Sequence, residues 1–219
     1  MTGIKKVFWE TIKILDKNKI LDYVVLVGSW AEYIYEISGY LEGFEANLKT
    51  RDIDFLIRNI NKPRKKISVI EVLEKEGFDT SVDYISGVYK FFREKDLEIE
   101  FLVREMGKGQ SDSYDVPSFG IRAEGLRHMG ILIENNTTLE IKNIKITVPT
   151  PQAYLLQKII INKKRKSKKE KDYLSIENLW ENIVSIESES GKLKDLLSKL
   201  SRKQKKIVGE FLDDNFLRF

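Results

Sequence analysis

Two aspartates one residue apart open an apolar run, Arg51-Asp52-Ile53-Asp54-Phe55-Leu56-Ile57, and this constrains the chain more than any other feature. Ile53 to Ile57 reads as a strand. A strand alternates its side chains between two faces, so Asp52 and Asp54 point the same way. Carboxylates that close repel each other, which is tolerable only if a cation lies between them or one takes up a proton. Oxygen ligands of this kind suit Mg²⁺, which keeps several waters and takes the rest from one or two carboxylates and phosphates.

Two further segments belong with this one. Upstream, Tyr23-Val24-Val25-Leu26-Val27 reads as a strand buried on both faces, and Gly28-Ser29 follows it, opening a helix to about Ile37. A glycine there lets the backbone approach a phosphate without a Cβ in the way. Successive N–H groups, the Ser29 hydroxyl and the helix N-terminus are the groups that hold phosphate oxygens. Downstream, Leu97-Glu98-Ile99-Glu100-Phe101 adds acids to a strand pattern. Glu98 and Glu100 share a face. Glu100 is the better third carboxylate, because Phe101-Leu102-Val103 follows it as Phe55-Leu56-Ile57 follows Asp54. Glu98 then reads as a solvated strand residue.

Composition narrows the chemistry. The chain has 219 residues, no cysteine and one histidine. That excludes disulfides, a thiol nucleophile, a cysteine zinc site and a multi-histidine metal site. It fits a reducing, cytoplasmic setting. No signal peptide is read at the Met1 end, and no uncharged apolar run reaches the ~18 residues that span a membrane. The net charge is only +4, but nine residues, Lys163-Lys164-Arg165-Lys166-Ser167-Lys168-Lys169-Glu170-Lys171, concentrate the basic side chains. Such a run is either a solvated helix or link, or an attractor of RNA or DNA phosphates with steep salt dependence.

The remaining pattern predicts an amphipathic helix over 4–19, a loop over 39–49 and a helix over 67–76. Strands are expected in FDTSVDY, VYKFFRE and LEIEFLV, with turns at Ser86-Gly87 and near Lys95-Asp96. Residues 107–118 read as a loop by composition, and 137–148 as a hairpin turning at Lys142-Asn143. From Thr150-Pro151 the pattern is helical, with Pro151 in a first turn. Apolar stripes run over 152–162 and 172–187, and one or two more helices cover 192–217. A boundary near 149 divides 1–149 from a helical 150–219. His128 reads as packing or surface, and Trp9, Trp30 and Trp180 as core, with Trp30 a candidate for the pocket wall.

Gly-Ser, then Asp-x-Asp, then a strand carboxylate resembles the DNA polymerase β-like nucleotidyltransferase superfamily across about residues 20–105. Gly28, Ser29, Asp52, Asp54 and Glu100 match its pattern. The resemblance implies an α+β fold, a mixed sheet with flanking helices followed by helices. It implies two Mg²⁺ ions, with Mn²⁺ as a substitute, on Asp52, Asp54 and Glu100. The reaction implied is in-line attack by an acceptor hydroxyl on the α-phosphate of an NTP, with pyrophosphate released and a carboxylate, Glu100 by preference, taking the proton. The interval from Ser29 to Asp52 is longer than in compact members, consistent with an inserted loop around Gly39–Leu48. Val148-Pro149-Thr150-Pro151 through Lys158, then Arg165 and Lys171-Asp172-Tyr173-Leu174, is similar to a stretch of the bacterial abortive-infection nucleotidyltransferase toxins. That similarity implies Lys158 on the nucleotide's phosphates and Asp172 orienting a base. Related bacterial proteins share the Gly28-Ser29-Trp30-Ala31 turn. The expectation is a nucleotidyltransferase, with RNA such as tRNA as an acceptor drawn by residues 163–171. Three alternatives share the fold: a non-catalytic nucleotide- or RNA-binding module, a toxin held by an antitoxin protein, and an enzyme acting on an antibiotic-like small molecule.

Overall fold

The computed structural model describes residues 3–48, 50–93, 97–107, 112–162 and 169–219, with the backbone alone at 169–171. The expected turn near Lys95-Asp96 and most of the basic run 163–171 lie outside the described residues.

Helix α1 (Gly3–Lys17) buries Phe8, Trp9, Ile12 and Leu15 on one side, as the spacing of its apolar residues requires. A short 3-10 turn (Leu21–Tyr23) leads into β1 (Val24–Val27), buried along its whole length. Helix α2 (Ser29–Ser38) follows directly. The next elements are β2 (Asp52–Ile57), α3 (Val69–Lys75), β3 (Asp79–Val82), β4 (Tyr89–Arg93) and β5 (Leu97–Arg104), then β6 (Ser113–Val116) and β7 (Ile121–Leu126). The sheet order is β1-β2-β5-β4-β3, with β7 also on β5 and β6 on β7. Strands β2 and β7 run parallel to β5, and the other pairs are antiparallel. Strand β5 is long enough to take two neighbours on one side. Lys90↔Glu100 belongs to β4, and from Leu102↔Glu124 onward the partner is β7.

The alternation in β2 and β5 separates acid from core. Ile53, Phe55, Ile99 and Phe101 point away from the acids and are fully or almost fully buried. The Phe101 ring packs against Phe55, Phe91 and Phe119 at centroid distances of 5.8, 6.0 and 5.9 Å. Burying such side chains contributes about 1.5–3 kcal/mol each, which fixes the register and thereby the direction of the acids.

One expected loop contains a strand. Ser113–Val116 is β6, with Ser113 and Val116 buried against β7. Its Gly-, Ser- and Asp-rich surroundings hide it, because a strand can be specified by its partner instead of its own composition. Helix α4 (Gly130–Glu134) then precedes a hairpin of β8 (Asn136–Ile141) and β9 (Ile144–Pro149). Its turn is Lys142-Asn143, both with positive φ (54° and 62°), the geometry that matches strand twist.

Helices α5 (Pro151–Asn162), α6 (Lys169–Ser185), α7 (Glu187–Lys199) and α8 (Arg202–Asp214) complete the chain. Ser201 and Gln204 form a reciprocal capping box that starts α8. Helix α5 is buried nearly all round instead of carrying a single stripe. One hydrophobic cluster runs from Phe8 through the sheet and α5 to Leu212. Tyr35 on α2 donates to the Pro149 carbonyl at 2.7 Å, tying the hairpin's end to the sheet layer. No helix among the described residues is long and apolar enough to cross a membrane.

Candidate active site

Gly28 follows β1 and caps the start of α2 with φ 73° and ψ −163°, a conformation open to glycine and costly for other residues. A Cβ at this position would stand 2.6 Å from Asp54 Oδ2. The glycine therefore serves two needs at once, the sharp entry into α2 and the close approach of a carboxylate to the helix N-terminus. Asp54 is opposite Val27 across β1–β2. On its other side Asp52 pairs in register with Glu98, and Asp54 with Glu100. Parallel pairing in this register sets four carboxylates side by side on one face.

That face opens into a cleft of about 830 Å³. Gly28, Ser29, Asp52, Asp54, Glu98 and Glu100 line one wall, and Lys158, Asp172 and Tyr154 line the helical wall. Gly28, Ser29, Asp52, Asp54, Glu100, Lys158 and Asp172, the residues expected to bind metal or nucleotide, thus border the same cavity, although they come from five elements.

Two of them are engaged in ways the sequence did not suggest. Lys158 is almost buried. Its ammonium lies 3.6 Å from Glu32 Oε1 and 3.4 Å from Asp172 Oδ1, and 4.9 Å from the Tyr154 ring centre. Ser175 donates to Glu32 Oε1 at 2.6 Å. This cluster joins α2, α5 and α6 along the cleft's helical wall. Burial, and after it the Glu32 charge, push the Tyr154 and Tyr35 hydroxyls well above 10.0, so both rings remain neutral hydrogen-bonding groups. Glu100, the second case, shares Lys90 with Glu98. Lys90 Nζ is 2.6 Å from Glu98 Oε1 and in contact with Glu100 Oε1. Burial works to lower the Lys90 pKa, and the hydrogen bonds to Glu100 and Glu98 more than offset it, raising it above its ordinary range.

Sequence reasoning missed Glu32 and Lys90. Glu32 has a signal, an acid in the first turn of α2 flanked by Trp30, Ala31, Tyr33 and Ile34. Lys90 has a stronger one. A hairpin turning near residue 95 pairs positions whose numbers sum to about 190, which sets Lys90 opposite Glu100. Trp30 packs in the core, stacked on Phe8 at 4.1 Å, and is not among the cleft residues. The long Ser29–Asp52 interval folds back on the helices. Asn178 donates to the Glu45 carbonyl at 2.9 Å, and Asn47 reaches the cleft.

Asp52 and Asp54 fit a divalent cation, being oxygen donors on one face beside a glycine that clears the approach. Glu100 fits less well, because Lys90 holds it. As the side chains stand, no three acidic or histidine residues among those described are drawn together for a metal ion.

The sheet order, the acidic face and the helices behind it define an α+β protein of the nucleotidyltransferase-like fold. The chain belongs to the nucleotidyltransferase family whose sequence model matches residues 9–196. Among solved structures, it is similar to an antigenic nucleotidyltransferase-like protein from Paracoccidioides brasiliensis. The TM-score is 0.52 at 15% identity, over 96% of this chain and 88% of that one. Comparison with curated proteins finds no match.

Proposed function

We propose that the chain transfers a nucleoside monophosphate from an NTP to an acceptor hydroxyl in this cleft. The observation that carries the reading is the contact of Asp54 with Gly28, at the mouth of α2 and in register with the acids of β5. In this reading the phosphates lie along the Gly28-Ser29 turn, where backbone N–H groups and the helix N-terminus favour anions. Asp52 and Asp54 hold Mg²⁺ or Mn²⁺, which supplies charge neutralisation of the phosphates and polarisation of the reacting oxygens. The acceptor oxygen forms a bond to the α-phosphorus, the bond from the α-phosphorus to the bridging oxygen breaks, and pyrophosphate leaves with the electron pair. The hydroxyl proton passes to a carboxylate of this face. The protein's share is positioning and fixed charge.

RNA is the acceptor class that the basic run 163–171 favours, as nine consecutive residues with seven cations would attract nucleic-acid phosphates. Incubation with each labelled NTP, Mg²⁺ or Mn²⁺, and separate RNA, protein and small-molecule fractions should place label on RNA and release pyrophosphate. Asp54→Asn should lower transfer by more than about 100-fold, since even outer-sphere partners of a metal cost 10–100-fold. Label in no fraction under any condition would refute the enzymatic reading.

A further inference from the structure

Lys90 stands where an acidic metal site has no ordinary use for a cation. It lies on β4 directly across from Glu100, its side chain lines the cleft, and its ammonium is bonded to both acids of β5. An ammonium has three donors. Two go to Glu98 and Glu100, and the third has no partner among the described residues. The side chain is 38% exposed, so that third donor is within reach of a ligand oxygen in the cleft.

We propose that Lys90 is the fixed cation of this site, taking the place of a second metal ion, so that Asp52 and Asp54 bind a single divalent cation. The inference rests on the nucleotidyl-transfer reading and departs from the two ions that the superfamily resemblance implies. Its physical basis is exclusion. A divalent cation shared by Asp54 and Glu100 would have to sit beside the ammonium that already holds Glu100, and like charges at that distance repel strongly in a partly buried cleft. Lys90 cannot easily move aside. The β4–β5 ladder fixes its backbone directly across from Glu100, which keeps the ammonium within reach of both acids, and an incoming ion would have to displace both of its bonds. Its remaining N–H is suited to a phosphate oxygen, which gives one neutralising contact without a metal.

The test is a count of bound Mn²⁺. The full-length protein is titrated with Mn²⁺ in the presence of saturating α,β-methylene ATP, and the GTP, CTP and UTP analogues in turn. Bound ions are followed by electron paramagnetic resonance against a titration of the analogue alone. One ion per protein–nucleotide complex is expected for the wild type and for Lys90→Arg, and two for Lys90→Met, with Glu100→Gln in the Lys90→Met background returning the count to one. Two ions in the wild type would overturn the role of Lys90 while leaving the nucleotidyl-transfer reading intact. One ion in both wild type and a folded Lys90→Met would overturn it equally, because Glu100 would then not be withheld by the lysine. No ion in the wild type would overturn the metal-dependent reading and this inference with it. If Lys90→Met fails to fold, Lys90→Gln, which removes the charge and keeps a polar side chain beside the two acids, takes its place in the count, with the same two ions expected.

Discussion

At the scale of single residues, Gly28 carries two separate constraints. Its φ of 73° excludes most side chains, and the nearness of Asp54 Oδ2 excludes a Cβ. Gly28→Ala should therefore destabilise the fold by more than about 1 kcal/mol, and also shift Asp54 away from the helix N-terminus. Urea denaturation measures the first effect and Mn²⁺ binding the second. A variant with both wild-type stability and wild-type Mn²⁺ affinity would show that the close approach is incidental. That a glycine belongs here was legible from the sequence, since Gly-Ser follows an apolar strand. That Asp54 is the group it makes room for was not, because the contact crosses from one strand to another.

At the scale of elements, the notable joint is the Glu32–Lys158–Asp172 cluster. Side-chain exposure is 10% for Lys158, 4% for Glu32 and 7% for Asp172. Removing the cation would leave two carboxylates buried together. Lys158→Met should cost about 3–5 kcal/mol, the usual penalty for breaking a buried ion pair. Glu32→Gln, which keeps a hydrogen-bond acceptor for Ser175, should cost less. Thermal and urea unfolding of the two variants measure the difference, and an equal cost would mean that charge balance is not what the cluster supplies. Lys158 was legible as a cleft residue because it flanks the apolar positions of α5. Its partner Glu32 comes from a helix over 120 residues earlier, and no periodicity within either helix reports that meeting.

At the scale of the whole molecule, α7 is held to α5 by a polar contact that depends on pH. Glu189 accepts from Gln152 Nε2 at 2.7 Å and from Lys192 Nζ at 2.6 Å. Burial works to raise its pKa, and the hydrogen bonds from Lys192 and Gln152 outweigh that, holding it below its ordinary 4.5. A carboxylate depressed in the folded state binds fewer protons than in the unfolded chain. Its stabilisation is complete above pH 4.5 and is lost as the pH falls through the lower folded value. Glu189→Gln should flatten this part of the acid limb of stability, read as the urea midpoint against pH from 6 to 3. An unchanged acid limb would mean that other carboxylates control it.

What the chain determined by itself was alternation and order. The period-2 pattern of β2 and β5 set the acids on one side and the apolar residues on the other, and the α+β fold was anticipated through the resemblance of the order Gly-Ser, Asp-x-Asp, acidic strand to the DNA polymerase β-like superfamily. The helices after Pro151 and the turn at Lys142-Asn143 were readable for the same reason, since each is specified by neighbours within a few residues. Tertiary structure alone decided which strands meet. It made a strand of Ser113–Val116 by supplying β7 as a partner. It buried α5 on every side and brought Glu32 to Lys158. Lys90 stands between the two cases: the β4–β5 hairpin already sets it opposite Glu100, and only side-chain packing decided that its ammonium takes both Glu98 and Glu100. Local sequence records the free energy of a segment against water, whereas these contacts arise between segments whose separation along the chain carries no trace of their distance in space.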